Sequence, residues 1–228
     1  MQRAVLVVGS SDGIGRAVAA ALAARGDRVF GISRSPTPVP DVRFAVQDVT
    51  AQDYRRCLDR VLREEGPFDA CVFCVGVGSE LQLPDVSHEA EVFAVNLTAM
   101  VVTLQMLLPQ WIERRRGHFL GLSSLADAIY NPGAPSYSAS KAGFSNYLVS
   151  MGLKLRKHGV SVTNVRFGFV DTKMARAPVK PLMMTPARAA EHVLRCLERR
   201  PLQYSAPKVV VVCLQAVRIA QTLRVWMG

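Results

Sequence analysis

The sequence predicts a doubly wound α/β fold, in which helices cover both faces of a parallel β-sheet, in a single domain. Short, continuously apolar segments rich in β-branched residues alternate with longer segments of helical periodicity. Strands without polar positions are typical of a parallel sheet that is buried on both faces. The 228 residues suit one domain with a substantial core, and no repeat or linker divides them.

The alternation predicts six strands and five helices before the last segment of the chain. The predicted strands are Ala4–Val8, Arg28–Ile32, Val42–Val46, Ala70–Val75, His118–Leu122 and Ser161–Phe167. The predicted helices are Ile14–Arg25, Ala51–Glu64, Glu89–Arg115, Pro135–His158 and Pro186–Arg199. Because strands twist in one sense, we expect right-handed crossovers between them.

Residues 205–228 form an apolar and basic C-terminal segment. Lys208–Cys213 is β-branched like a strand, but the polar residues of the segment share about a quarter of a helical wheel. They are Lys208, Gln215, Arg218 and Thr222. We predict a short strand near Leu202–Ala206 and then a helix with one narrow polar stripe. Its apolar remainder must pack against the body, a second subunit or a membrane surface.

The net charge of +10 is unevenly distributed. Residues 1–150 hold 14 basic and 15 acidic side chains, whereas residues 151–228 hold 14 basic and 3 acidic ones. Neither interleaved aromatic residues nor a DNA-reading helix accompanies the basic excess, so we expect no nucleic-acid partner. The excess is either a solvated face or a contact with something acidic, such as a phosphate-bearing substrate or an anionic membrane.

The cysteines predict a reducing environment. There are five of them, irregularly spaced, which argues against a disulfide framework. Cys71 and Cys74 lie on a predicted strand, roughly 10 Å apart and on opposite faces, which is too far for a disulfide. The four histidines lack partners at metal-ligand spacing, so we expect no metal.

We expect a cytoplasmic protein. The N-terminal apolar run is short and lacks a cleavage site for a secretory signal. No uncharged apolar run reaches the roughly 18–20 residues of a membrane span. Peripheral association with a membrane through the basic C-terminal third stays open.

A glycine-rich turn follows the first predicted strand: Gly9-Ser-Ser-Asp-Gly13-Ile-Gly15. Glycines permit a tight turn and a close backbone approach to a pyrophosphate, whose charge then meets the positive end of the next helix. The second strand ends at Ser33 and Arg34, where NAD-binding sites carry an acidic residue. A small serine and an arginine instead favour the 2′-phosphate of NADP(H). The alternative is that Arg34 is an ordinary surface arginine.

A candidate proton-transfer group lies on the fourth predicted helix. Tyr137 and Lys141 are four residues apart and therefore share one helix face. A free tyrosine has a pKa near 10, and we expect the neighbouring ammonium to lower that pKa into a useful range. Ser124 ends the preceding strand at the carboxyl edge of the sheet, where such folds bind ligands.

These motifs, in this order, resemble the short-chain dehydrogenase/reductase family in its single-domain branch, over roughly residues 3–200. GSSDGIG matches the family's GxxxGxG turn, and YSASK matches its YxxxK motif. QDVT places Asp48 and Val49 at the adenine site, and VNL places Asn96 at the family's helix-kink asparagine. The resemblance implies a Rossmann fold that binds a nicotinamide cofactor.

The resemblance implies four catalytic roles. Tyr137 exchanges a proton with the substrate oxygen, and Ser124 polarises that oxygen. Lys141 binds the nicotinamide ribose, and Asn96 holds a water that relays protons. The implied cofactor contacts are Gly9, Ser11, Gly13, Ile14, Gly15, Ser33, Arg34, Asp48, Val49, Gly76, Tyr137, Lys141, Gly168, Val170 and Thr172.

The sequence departs from the family pattern away from the reacting residues. The family's NNAG stretch is here Phe73-Cys74-Val75-Gly76, and its PG turn is here Phe167-Gly168. The opening threonine of the glycine motif is Val8. These changes are expected to alter cofactor affinity.

Residues 171–186 correspond to the family's substrate lid. The segment has three prolines and three methionines, together with Lys173, Arg176 and Lys180. Methionines adapt to irregular apolar ligands, and the cations would attract an acidic one. An ordinary surface loop is the alternative.

The sequence thus predicts an NADPH-dependent carbonyl reductase, or alcohol dehydrogenase, acting on a ketone or aldehyde. The alternatives are an NADP(H)-binding regulatory protein with vestigial catalysis, and a ketoreductase docked to an acyl carrier or a membrane. The resemblance also implies a homodimer or homotetramer.

Overall fold

The computed structural model describes residues 2–78, 80–175 and 182–227. Its centre is a seven-stranded parallel sheet with the strand order β3-β2-β1-β4-β5-β6-β7. The strands are β1 (Ala4–Val8), β2 (Arg28–Ser33), β3 (Arg43–Val46), β4 (Ala70–Phe73), β5 (Gly117–Ser124), β6 (Val160–Phe167) and β7 (Gln203–Ala206). The predicted doubly wound fold in one domain is confirmed. β1 pairs with β2 on one side and with β4 on the other. The strand order therefore changes direction between β1 and β4, and such folds bind ligands at this point.

Helices cover both faces of the sheet. They are α1 (Gly13–Ala24), α2 (Tyr54–Glu64), α3 (Glu89–Phe93), α4 (Ala99–Glu113), α5 (Pro135–Leu155), α6 (Pro186–Arg199) and α7 (Lys208–Met227). Local sequence fixes several helix starts. Asp12 and Thr185 cap α1 and α6 by accepting backbone N–H bonds, and α5 and α6 open with proline.

Successive residues of the central strands pack alternately in two separate hydrophobic cores, one on each face of the sheet. In β1, Leu6 and Val8 pack in one cluster, and Val5 and Val7 pack in the other. The alternation is that of a strand buried on both faces. Cys71 and Cys74 likewise fall on opposite faces, and all five cysteines are free thiols.

The third predicted helix, Glu89–Arg115, is interrupted. It consists of α3, a π-helical turn at Ala94–Thr98, and α4, which ends at Glu113. The π turn inserts an extra residue into the helical ladder at Asn96, and periodicity alone does not reveal such an insertion. π turns are frequent at functional sites.

Other predicted bounds differ from the structure by a few residues. The strand predicted to end at Val75 ends at Phe73, and the helix predicted to begin at Ala51 begins at Tyr54. The helix predicted to end at His158 ends at Leu155 and continues as a 3-10 turn. Element ends depend on tertiary contacts, so this scatter is ordinary.

The C-terminal prediction of a short strand followed by a helix is confirmed by β7 and α7. Two helical stretches, Glu89–Glu113 and α7, have the length and apolar composition of a membrane span, although the sequence predicted none. The first lies in the core, where Met100, Leu104 and Trp111 are buried. None of the residues described in α7 is buried.

Candidate active site

The carboxyl edge of the sheet holds a cavity of about 830 Å³. Eight of the residues predicted from the sequence line it: Ile14, Gly76, Ser124, Tyr137, Lys141, Gly168, Val170 and Thr172. They come from segments that are distant in the chain, and the fold brings them together at one edge. This placement follows from parallel strands, whose carboxyl ends all point the same way.

The glycine turn between β1 and α1 depends on its glycines. Gly9 and Gly13 have φ values of +90° and +53°, which disfavour residues with a Cβ. A Cβ on Gly15 would lie 1.9 Å from the carbonyl oxygen of Gly9. The turn therefore leaves backbone N–H groups accessible at the N-terminus of α1. We call this turn the cofactor cradle, because its shape and its N–H groups fit a pyrophosphate. Ser11 lies in the same turn and is half-buried.

The segment after β6 lies against this turn. A Cβ on Gly13 would lie 3.1 Å from Cγ2 of Thr172. The Lys173 ammonium lies 2.8 Å from Asp12 Oδ2. The hydrogen bond with Lys173, together with that from the Gly13 N–H, holds the pKa of Asp12 below its usual value. Thr172 and Lys173 thus close one side of the cofactor cradle.

The residues predicted to bind the adenosine half lie outside the cavity, at the ends of β2 and β3. Ser33 is buried and donates to the carbonyl oxygen of Ser35 at 2.7 Å, whereas Arg34 is exposed. Asp48 Oδ1 accepts bonds from the N–H and the hydroxyl of Thr50 at 2.8 and 2.7 Å. The Thr50 N–H bond, with a smaller contribution from the Arg34 charge, holds the pKa of Asp48 below its usual value.

Val49 differs from its neighbours because its side chain packs in the core. Any contact of Val49 with a cofactor is therefore made by its backbone. The exposed Arg34 and the ionised Asp48 leave this end of the sheet polar, which fits the ribose and adenine groups of a nicotinamide dinucleotide.

Ser124, Tyr137 and Lys141, the three predicted catalytic residues that line the cavity, come from β5 and α5. Ser124 ends β5, and the other two residues are one turn apart on α5. Lys141 is buried, and its Nζ donates to the carbonyl oxygen of Leu122 at 3.0 Å. The same Nζ lies 6.0 Å from the centre of the Tyr137 ring.

Asn96 is fully buried and ties the π turn to the cavity wall. Its Oδ1 accepts from the Val77 N–H at 2.7 Å, and its Nδ2 donates to the Val77 carbonyl oxygen at 2.9 Å. Nδ2 also donates to Ser140 Oγ at 3.0 Å. Asn96 therefore fixes the backbone beside Gly76 and contacts α5 one residue before Lys141. Its role in a water relay stays a prediction.

The protonation of the site differs from the sequence-based expectation. Burial raises the pKa of Tyr137, the Ser124 hydroxyl opposes that change, and the Asp127 carboxylate adds to it. Burial also lowers the pKa of Lys141 to about 8. Burial is the largest influence on the pKa of Tyr137 and outweighs the predicted lowering by the ammonium, so Tyr137 is protonated at neutral pH.

A buried polar network beneath the site was missed by the sequence analysis. Arg166 Nε donates to Asp127 Oδ2 at 2.7 Å, and a second guanidinium nitrogen binds Oδ1. Ser145 also donates to this carboxylate, and its oxygen lies 2.8 Å from that of Ser123. A sequence signal existed, since an arginine in the buried strand VSVTNVRF needs a partner.

The rest of the cavity wall combines apolar side chains with polar ones, among them Glu80, Asp85 and Glu89, and draws on segments with no motif. Val210 and Leu214 of α7 contribute to it, together with Met174. Val170 and Met184 pair as a short β-bridge and so close the base of the segment 171–186. Arg176 and Lys180, predicted to act in this lid, lie outside the described residues.

Comparisons with known proteins agree with this geometry. Residues 3–181 match the short chain dehydrogenase family. The chain is 34% identical over 225 residues to an uncharacterized oxidoreductase of Myxococcus xanthus, covering 90% of this chain and 87% of the relative. It is 27% identical over 186 residues to the 3-oxoacyl-[acyl-carrier-protein] reductase of Vibrio cholerae, covering 77% and 76%.

A solved structure supports the fold. A short-chain dehydrogenase from Streptomyces avermitilis superposes with a TM-score of 0.84 at 22% identity, covering 98% of this chain and 95% of that one. The strand order, the glycine turn and the family match agree, so the protein is an oxidoreductase of the short-chain dehydrogenase family.

Proposed function

We propose that this protein is an NADPH-dependent reductase of a ketone or aldehyde borne on an apolar chain, such as a 3-oxoacyl group. One observation carries the proposal: Ser124, Tyr137 and Lys141 line the same cavity as Ile14 and Thr172 of the cofactor cradle. The Vibrio cholerae relative, named as a 3-oxoacyl reductase, supports the choice of carbonyl.

The protein's own groups supply the proton and the polarisation. When bound, NADPH supplies the hydride for the carbonyl carbon. Tyr137 donates its phenolic proton to the carbonyl oxygen, and the Ser124 hydroxyl donates a hydrogen bond to the same oxygen. Because burial raises the pKa of Tyr137, the phenol begins the reaction protonated, as reduction requires.

Lys141 has a positioning and proton-supplying role in this proposal. Its Nζ is held by the Leu122 carbonyl oxygen, and a Cβ on Gly76 would lie 3.3 Å from it. The ammonium therefore lies at the floor of the cavity between β4 and α5, where we place the nicotinamide ribose. With a pKa of about 8, it exchanges protons near neutral pH.

NADP(H) is the preferred cofactor in this proposal. Ser33 places no carboxylate at the end of β2, and Arg34 is exposed beside it. A guanidinium recognises a phosphate through two parallel hydrogen bonds, whereas it gains little from a ribose hydroxyl.

The proposed chemistry is tested with Tyr137→Phe, which removes the proton but keeps the ring. We expect NADPH oxidation by a panel of 3-oxoacyl thioesters, ketones and aldehydes to slow roughly 10²- to 10⁴-fold. The dissociation constant for NADPH is expected to stay nearly unchanged.

Tyr147→Phe is the matched control, because Tyr147 lies on the same helix and is half-buried. It should leave the rate unchanged. If wild type and Tyr137→Phe oxidise NADPH equally, the catalytic assignment fails. If neither protein turns over any carbonyl but both bind NADPH, a cofactor-binding regulatory protein replaces the enzyme.

A further inference from the structure

The helix α7 turns polar side chains toward the body of the protein. The Arg218 guanidinium carbon lies 3.7 Å from the centre of the Tyr130 ring. Gln221 accepts from the Tyr130 N–H at 2.9 Å and donates to the Tyr130 carbonyl oxygen at 2.7 Å. These contacts hold the inner side of α7 against the loop that follows β5.

The outward side of α7 is apolar along its whole length. Its residues are each more than half exposed: Val209, Val212, Ile219, Leu223 and Met227. At about 100° per residue they project within roughly 80° of one another. We name these five residues the docking face. An apolar stripe of this extent on a helix with polar contacts inside indicates an apolar cover outside.

The charges beside the docking face are complementary to an anionic surface. On the same helical wheel, Lys208 lies at one edge of the face and Arg224 at the other, and both are exposed. No acidic residue occurs in α7. Trp226, which is 85% exposed, lies at the same edge as Lys208. An apolar stripe bordered by cations and an aromatic residue is typical of helices in a bilayer interface.

We propose that α7 docks the protein on an anionic lipid bilayer, with the docking face inserted at the level of the headgroups. The Tyr130 contacts keep the inner side on the body, so the helix lies along the membrane and does not cross it. A second copy is a poorer occupant, because two-fold pairing of α7 would bring Lys208 and Arg224 toward the same cations of the partner without any acidic residue of α7 between them.

If the protein is the proposed reductase, docking also determines where its substrate site lies relative to the membrane. Val210 and Leu214, on the inner side of α7, line the cavity. The same helix therefore separates the bilayer from the substrate site. Docking would therefore hold the cavity within about one helix diameter, roughly 10 Å, of the bilayer.

The direct test uses the full chain with vesicles of phosphatidylcholine, alone or mixed with phosphatidylglycerol. The protein should float with the mixed vesicles and bind the neutral ones weakly, and added salt should reduce binding because it screens the cations. Of the two tryptophans, Trp111 is buried, so a blue shift of the emission on binding reports Trp226.

Ile219→Glu and Leu153→Glu form a matched pair, since the two positions are 62% and 64% exposed. Ile219→Glu should weaken vesicle binding roughly tenfold or more, whereas Leu153→Glu, on α5, should not. Circular dichroism verifies that both variants fold. Wild-type protein that ignores mixed vesicles, or equal binding by the two variants, overturns the proposal.

A further outcome would identify a second copy as the occupant. In that case wild type is a dimer that Ile219→Glu dissociates, and the mixed vesicles bind neither protein. The proposed reductase activity is separable from docking, because reduction of a water-soluble carbonyl should be the same in Ile219→Glu and wild type.

Discussion

The two sides of the cavity are built by different means. The proposed cofactor side is formed by backbone: a Cβ on Gly15 would overlap the Gly9 carbonyl oxygen, and the turn exposes the N-terminus of α1. On the proposed substrate side, side chains from β5, β6, residues 125–134 and α7 form the walls. A tight backbone turn requires glycine at fixed positions, whereas a wall of side chains requires only residues of suitable size. The first side therefore produces a recognisable sequence motif, and the second does not.

A buried ion pair lies beneath the site, and we expect breaking it to have the largest effect on stability. The Asp127 and Arg166 side chains are 4% and 13% exposed. Asp127→Ala leaves the Arg166 charge buried without its partner. The free energy of unfolding should fall by roughly 3–5 kcal/mol, measured by urea denaturation.

The double variant Asp127→Ala/Arg166→Met distinguishes the cost of losing the ion pair from the cost of leaving one charge buried without a partner. Removing both charges leaves no unpaired ion, so the double variant should be clearly more stable than Asp127→Ala alone. If the single variant loses less than about 1 kcal/mol, water reaches this network. The network would then be as open to water as an ordinary surface.

The comparison also explains what the sequence could predict. β1, the glycine turn and the Tyr137–Lys141 pair depend on local pattern or spacing, so they were predictable. The Asp127–Arg166 pair joins residues 39 apart, and no local rule links them. The π turn at Asn96 and the inward polar side of α7 likewise depend on which neighbours the fold supplies.

The prediction that the pKa of Tyr137 is lowered was wrong for the same reason. Sequence spacing places Lys141 on the same helix face as Tyr137, but it does not reveal how much of each group is removed from water. Burial is the largest influence on the pKa of both residues. Desolvation by the whole fold therefore outweighs the neighbour that the motif supplies.

Lys141 lies where the two sides meet, and its burial predicts a pH dependence of stability. Its pKa falls from 10.5 to about 8 on folding. Between these values the unfolded chain holds more protons than the folded one, so raising the pH favours folding. Below about pH 8 Lys141 is protonated in both the folded and the unfolded state. Burial of the ammonium then lowers the free energy of unfolding by about 3 kcal/mol, which corresponds to the difference between the two pKa values.

Lys141→Met removes this titration and is the reference for it. The free energy of unfolding of wild type, measured relative to Lys141→Met by urea denaturation, should rise from pH 8 toward pH 10.5. Groups that are not coupled to Lys141 titrate alike in both proteins and cancel in the difference. Parallel pH curves for the two proteins would show that water reaches the ammonium in the folded state.

The smallest effect concerns the exposed end of the cofactor side. Arg34→Ala should raise the dissociation constant for NADPH by roughly ten- to a hundredfold, the size of lost charge-assisted hydrogen bonds. The dissociation constant for NADH should change little, because a ribose hydroxyl offers no charge to the guanidinium. Titration calorimetry of both cofactors measures the ratio. Arg60→Ala, an exposed arginine on α2, is the control for overall charge. A matched loss for NADPH and NADH would show that Arg34 supports the adenosine site generally and does not recognise the 2′-phosphate.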